Sequence, residues 1–448
     1  MQVIARCLRS EIELQLKLHG YSLTKLAELS RIPVGNLSSI LSLNEASRSM
    51  TIGQLDTLAR VFNQAPGWLY ELYPDECCSE ERFSRKRLVP YLVRCAEVGR
   101  YDCIELIVSK LLDNQKNVSI LFAVAERLFQ NEWSNESAYF YNLVVDNEKD
   151  CFSEPFLMSQ YRLFLISQGT NAEANQEAIV RFAPYRKRLS ESLQLDALTK
   201  LVKVCFTLHK WGKVEQYADE LIELATTQYE LLKRGFSEPM FERPLVYYYG
   251  MGNLFKGVAL ERQGQYGQAA EYVRKYADLG WFEFLDEEGK KEVECFKIYS
   301  KANMYTLDVL MGKEAVIGEY VAYLTDHPEE ILAGLVTILK SANKYGFCID
   351  QVLRLFSERI DHFDTFQDMI GMDQHVRFRY QKALYEFSKE RFNDGIEETL
   401  HCLVLALRTR RYEDCFRCSA LFEKHRKYAT GEQIQRFQAI MIGGEEVY

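Results

Sequence analysis

The residues best able to bind a metal or act as nucleophiles are 12 cysteines and 7 histidines, scattered over 448 positions. Only Cys402, Cys415, Cys418 and His425 approach a zinc set. Cys415 and Cys418 fall on one face of a helical run, YEDCFRCSALFEKH. No second tight pair completes a knuckle, so these thiols read as part of helix packing. There is no His-Asp-Ser order, glycine-rich phosphate loop or metalloprotease motif. The expectation is a non-enzyme with no catalytic residue, no metal and no cofactor. Recognition chemistry is better represented. Asn36 carries an amide that can pair a donor and an acceptor of adenine together. Ser38, Ser39 and Ser42 suit phosphates or small polar readout, with Val34 and Gly35 on the same outward side. Arg85, Lys86 and Arg87 form a basic run, either a phosphate-contacting segment or a solvated helix start.

Two short helices must position Asn36. Apolar residues recur at Leu23, Leu26, Ala27 and Leu29 with a helical period, and Ser22 can cap that helix. Pro33 cannot continue it from inside. A second short period follows, with Leu37, Ile40 and Leu41 inward. The small Ala27 allows a close crossing, so the pair reads as a helix-turn-helix. A first helix is expected over 4–18, with Ile4, Leu8, Ile12 and Leu16 on one stripe. After a loop over 43–50, Thr51 and Gln54 form a capping box. It starts a helix with Leu55, Leu58, Ala59 and Phe62 on one face. A fifth helix is expected over 66–72. Five helices at these spacings resemble the Xre or lambda-repressor-like DNA-binding domain, over residues 1–73. Such turns usually carry glycine where Arg31 stands, and the recognition helix often ends in Glu where this chain has Leu41. The resemblance implies that the N-terminal end of the second turn helix meets base edges of double-stranded DNA. That helix has no Arg or Lys, and the first 75 residues balance seven Lys/Arg against seven Asp/Glu. Such a neutral domain would bind weakly as a monomer. The competing reading keeps the helix-turn-helix as a structural or protein-binding domain.

Residues 74–88, PDECCSEERFSRKRL, read as a charged linker with Cys77 and Cys78 exposed. From 89 to 448 a turn recurs between paired helices. Its aromatics are Tyr101, Trp133, Trp211, Tyr266 and Phe392. Three residues after each stand Ile104, Glu136, Val214, Ala269 and Gly395. The fullest copy is Gly257, Leu260, Gly264, Tyr266 and Ala269, while Tyr305 and Gly312 keep part of it. The series resembles the tetratricopeptide repeat. There the aromatic fills the gap between helix pairs and a small residue lets helices approach. The fold class is therefore all-α, a five-helix lambda-repressor-like domain followed by a right-handed tetratricopeptide-like α-solenoid. No run of 18 apolar residues occurs, so no membrane span is expected. The start carries Glu11 and Glu13 and fits neither a signal nor a transit peptide. Scattered cysteines fit the reduced cytoplasm. A net charge of -9 argues against general coating of nucleic acid.

The combined order resembles the Gram-positive peptide-pheromone receptors, the Rap, Rgg, NprR, PlcR and PrgX (RRNPP) group, with phage arbitrium receptors as relatives. The resemblance covers essentially the whole chain. It implies a cytoplasmic quorum-sensing transcription regulator, usually a homodimer, that binds operator DNA and a short signalling peptide in the concave repeat face. Counting back from the repeat turns places Gln160, Lys200, Lys203, Met251, Phe255, Asn303, Thr306, Arg377 and Gln381 on that face, and Tyr247 adds aromatic surface. Asn303 stands where the family often holds peptide backbone with an amide. Lys200 and Lys203 would attract a carboxylate terminus. Two alternatives remain: an adaptor that sequesters a partner protein, or a Rap-like phosphatase of response regulators, each with a vestigial helix-turn-helix.

Overall fold

Local caps decide where the first helices begin and end. In the computed structural model, which describes residues 7–42, 49–79, 82–236 and 241–443, α1 spans Leu8–His19 and stops at Gly20, which is left-handed at φ 65°. The Ser22 hydroxyl accepts from the Lys25 amide and starts α2, Leu23–Ser30. Arg31 takes the left-handed conformation, φ 56°, where the side chain is a steric cost that glycine avoids. Pro33 then leads into α3, Val34–Leu41. The Thr51–Gln54 capping box opens α4, Ile52–Val61. Leu26, Leu37, Ile40 and Leu41 are buried, whereas Leu23 and Leu29 of the expected apolar stripe are exposed. The expected fifth helix is only a 3-10 turn, Tyr70–Leu72, because Leu69 is left-handed at φ 60° and interrupts it. Ile4 and the loop residues 43–48 lie outside the described residues.

Residues 74–88 are not a linker. They form α5, Pro74–Cys77, a two-residue hairpin of Cys78–Ser79 with Arg82–Phe83, and the start of α6, Arg85–Glu97. Cys77, expected exposed, is buried. Partners from both sides hold the segment. Buried Glu76 accepts from the Met50 amide at 2.7 Å and pairs with Arg9 at 2.7 Å. Tyr73 stacks on Tyr91 at 5.0 Å, and the Tyr91 hydroxyl donates to the Tyr70 carbonyl. Arg94 reaches Asp56 at 2.8 Å. The chain continues through α7 (Tyr101–Leu112), α8 (Val118–Gln130), α9 (Ser134–Asn147) and α10 (Glu154–Ile166). One apolar core runs from Leu8 to Leu163, so it crosses residue 73 without a break. This is the first of two units, Met1–Ile166 and Ser167–Tyr448.

Among its described residues, the regular elements of the second unit are all helices. It comprises α11 (Ala172–Phe182), α12 (Glu191–Thr207), α13 (Trp211–Lys233), α14 (Leu245–Arg262), α15 (Tyr266–Ala277) and α16 (Glu287–Leu310). Then come α17 (Ile317–Asp326), α18 (Ile331–Tyr345), α19 (Asp350–Leu355) and α20 (Ser357–Asp361). The last four are α21 (Met369–Ser388), α22 (Phe392–Arg408), α23 (Tyr412–His425) and α24 (Gly431–Gly443). No described helix in either unit is long and apolar enough to cross a membrane.

One turn recurs in both units. Gly99, Glu132, His209, Gly264, Glu390 and Arg410 are all left-handed. In each case the next residue's amide bonds back five positions, as Gln265 does to Leu260 and Arg411 to Ala406. That is the six-to-one closure that ends a helix and reverses the chain. Tyr101, Trp211, Tyr266 and Phe392 are then the first residues of their helices, and Trp133 sits one position earlier, as a cap. Close crossings need small residues at specific places. A Cβ on Gly250 of α14 would come within 2.3 Å of the Phe296 ring of α16.

Inside the second unit, α12 touches α14, α14 touches α16, α16 touches α18, α18 touches α21, and α21 returns to α12. The five helices therefore close an inner ring. Its seam is polar. Asp373 of α21, 2% exposed, meets Arg411 at 2.8 Å and His209 at 3.0 Å. Arg411 also donates to the Thr207 carbonyl at 2.8 Å, and the Ala172 amide donates to the Thr409 carbonyl at 2.9 Å. Burial alone would push Asp373 up, but the His209 hydrogen bond and the Arg411 charge hold it below the usual carboxylate range. Removing one member of a buried pair leaves the other charge uncompensated. Asp373→Ala should therefore cost about 3–5 kcal/mol in urea unfolding. Because the folded pKa is depressed, the wild-type contribution is present above the ordinary aspartate range and fades as pH falls through it. The mutant's deficit should shrink in melts recorded towards pH 3.

Candidate functional site

The ring helices α12, α14, α16, α18 and α21 line a half-open cavity of about 560 Å³, within the range of small-ligand sites. Seven of the ten residues expected to face a peptide line it: Lys203, Tyr247, Met251, Phe255, Asn303, Thr306 and Arg377. The other three do not. Gln160 is buried in α10 of the first unit. Lys200 lies one turn before Lys203 but outside the lining. Gln381 is held by Asn343, whose amide donates to its backbone carbonyl at 2.9 Å and its side-chain oxygen at 3.0 Å.

The walls mix apolar and charged groups. Phe206, Phe255, Val258, Val336 and Ile370 supply apolar surface. The Asn303 amide donates to the Tyr276 hydroxyl at 2.7 Å, which fixes its orientation and leaves its carbonyl oxygen for a ligand. Thr306 shares a hydrogen bond of 3.0 Å with Tyr320. Lys203 donates to the Tyr247 hydroxyl at 3.1 Å, and burial pushes its pKa below the usual lysine value. Arg243 pairs with Glu292. Arg262 approaches Glu261 only at 3.5 Å, and Glu261 Oε1 and Arg262 Nε are buried without a hydrogen-bond partner. Glu330 also lines the cavity, and burial pushes its carboxyl upward.

Residue spacing could have found more of this lining. Val258 and Arg262 follow Met251 and Phe255 at helical intervals on α14, and Tyr299 and Glu292 precede Asn303 in the same way on α16. Glu330, by contrast, stands in a 3-10 turn, Pro328–Glu330, with no periodic signal.

In the first unit, Val34, Gly35 and Ser38 of α3 are exposed, while Asn36, Ser39 and Ser42 are half-buried. The Ser39 hydroxyl donates back to the Gly35 carbonyl at 3.0 Å. Arg85 and Lys86 are exposed on α6, and Arg87 donates to the Glu76 carbonyl at 3.0 Å. The basic run is thus divided between solvent and the packing of α5.

Of the side chains weighed for zinc, Cys402 and Cys418 are buried, and the Cys402 thiol donates to the Val376 carbonyl at 3.3 Å; the neighbouring Cys418 thiol and burial raise the Cys402 thiol well above its usual value. His425 stacks on Phe387 at 3.7 Å. A different trio, Asp364, His375 and His401, brings three possible ligand atoms within 4.8 Å of one another. It comes from three separate segments, so no spacing announces it. Arg379 donates to His375 Nε2 at 2.9 Å and lies 3.5 Å from Asp364 and 3.2 Å from Glu398. A guanidinium already occupies the place a cation would take. Burial and Arg379 push His375 down to about 3.

Comparison with models of known protein families and with curated proteins gives no match. The geometry of the site therefore carries the functional reading.

Glu330 offers a direct check on the electrostatics. A carboxyl raised on folding is a penalty that grows as pH rises through the ordinary glutamate range. Glu330→Gln should raise the urea midpoint at pH 7 and leave it nearly unchanged at pH 4. Equal effects at the two pH values would show that burial does not penalise this carboxylate.

Proposed function

We propose that the chain is a transcription regulator whose second unit binds a short peptide and whose first unit binds operator DNA. In this reading α2 and α3 are the helix-turn-helix, and the recurring helix pairs are tetratricopeptide-like repeats. One observation carries it: six of the nine residues placed on a concave face by counting repeats, Lys203, Met251, Phe255, Asn303, Thr306 and Arg377, line one cavity of about 560 Å³. An apolar-walled cavity with a free amide oxygen and charges of both signs suits an extended peptide, whose backbone groups each need a partner once water is removed. Its size favours a short ligand over a folded partner protein. That speaks for the peptide-switched reading over the adaptor reading.

The ring supplies the switching element. A ligand shifts a conformational equilibrium only by its differential affinity for the two states. One that touches several ring helices favours the closed ring, and the α12–α21 seam is where the alternative would open. On the DNA side, α3 carries no cation, so specificity rests on Asn36 and on DNA shape. Pairing of two copies then supplies the missing affinity. The exposed Phe416, Met441 and Ile442 near the C-terminal end give such a homodimer an apolar surface.

Two measurements test this. Asn36→Ala should weaken binding to the cognate operator by roughly 1–3 kcal/mol in gel shifts and leave random duplex nearly unaffected. Equal loss on both duplexes would remove Asn36 as a base reader. In calorimetry, a cognate peptide of five to ten residues should bind the wild type and lose at least about tenfold on Asn303→Ala. A peptide that binds tightly but leaves operator affinity unchanged would defeat the switch.

A further inference from the structure

One end of the cavity gathers more positive charge than it neutralises. Arg262 on α14 and Arg377 on α21 both line it. Lys340 on α18 lies outside that lining, and burial with the charges of Arg262 and Arg377 lowers its pKa. Arg377 itself is pushed down to about 10 by burial and by Arg262. The countercharge is poorly placed. Glu261 stands 3.5 Å from Arg262 without a hydrogen bond. Asp373 Oδ2 stands 3.8 Å from Arg377, too far for a hydrogen bond, while Arg411 engages the other oxygen, Oδ1, at 2.8 Å. Arg377 donates no hydrogen bond to any described side chain, and Arg262 Nε is buried without an acceptor.

Two guanidiniums with unfilled donors repel each other in a low-dielectric cavity unless an anion bridges them. Planar forks match a carboxylate in two parallel hydrogen bonds. The opposite end is different. Lys203 is already bonded to Tyr247, and Asp196, Glu242 and Glu292 offset its charge. Glu261 and Glu330 in the same cavity disfavour a doubly charged anion. A single negative charge fits the balance.

We propose that Arg262 and Arg377 form a carboxylate-reading subsite that seats the free C-terminus of the ligand peptide. The proposal rests on the peptide-receptor reading above. It moves the carboxylate away from Lys200 and Lys203, where counting along the repeats had put it. It also bounds the ligand's length. From Arg262 back to Tyr247, α14 rises about 22 Å at ~1.5 Å per residue. An extended peptide spans that distance with about seven residues at ~3.3 Å each.

The test uses the full chain with two random heptapeptide pools, one ending in a free acid and one in an amide. Captured peptides are identified by mass spectrometry and the best is titrated by fluorescence anisotropy. The free acid should bind at least about tenfold tighter than its amide. Arg377→Gln should shrink that gap to within about twofold. Arg377→Lys, which keeps the charge and loses the fork, should fall between them. Arg262→Gln serves as a second variant should Arg377→Gln fail to fold, with thermal melts reporting folding. Equal binding of acid and amide by the wild type would overturn the subsite and leave the peptide reading standing. Capture of neither pool would overturn the peptide reading and the subsite with it. Displacement of the free acid by millimolar inorganic phosphate but not by acetate would assign the arginines to a phosphate and overturn the carboxylate.

Discussion

A buried carboxylate joining distant parts of the second unit is the constraint on which its architecture depends. Asp373 is reached by Arg411 from the turn between α22 and α23 and by His209 from the turn between α12 and α13. Without that meeting the five inner helices would form an open arc. With it they form a ring, and a ring has an inside. Polar seams of this kind contribute less net stability than apolar packing of equal size, because both charges give up water. What this one contributes is position. It fixes which faces of α12, α14, α16, α18 and α21 confront one another, and so which side chains share the cavity.

The same turns that reverse the chain between paired helices supply the seam. His209 and Arg410 sit in left-handed turn positions, where a β-carbon costs roughly 1–2 kcal/mol. At Gly99 and Gly264 the same closure is made without that cost. The neighbours of the strained turns explain their residues. His209 touches Asp373, Arg410 lies 3.4 Å from Glu173, and Arg411 follows directly. Local strain is offset by contacts that only the closed ring provides.

Much of this was legible from the chain alone. Aromatic spacing located the turns at Tyr101, Trp211, Tyr266 and Phe392, which open the helices that follow, because helix reversal is a local event written in a few residues. Counting along the helices found six cavity residues for the same reason, and a run of tyrosines pointed to a seventh, Tyr247. The failures are equally physical. Gln160 follows the helical pattern, yet it belongs to another unit and another core. The stretch 74–88 looks like a linker because its composition is polar, and composition does not reveal that Glu76 will be buried against Arg9 and the Met50 amide. Asp364, His375 and His401 are invisible in advance, since only the tertiary fold brings them together.

The continuous core of the first unit sets a mechanical property of the proposed reading. α3 does not hang from a tether. Tyr73, Tyr91, Arg94 and Asp56 lock the short N-terminal helices to α6, and the apolar core carries that connection on towards α10. A reading head mounted on a stiff arm has little slack. Two copies carrying it would accept a narrow range of half-site separations, whereas tethered heads tolerate inserted or deleted base pairs. One added base pair rotates a half-site by about a tenth of a turn around the duplex, and a stiff mount converts that rotation directly into lost contacts.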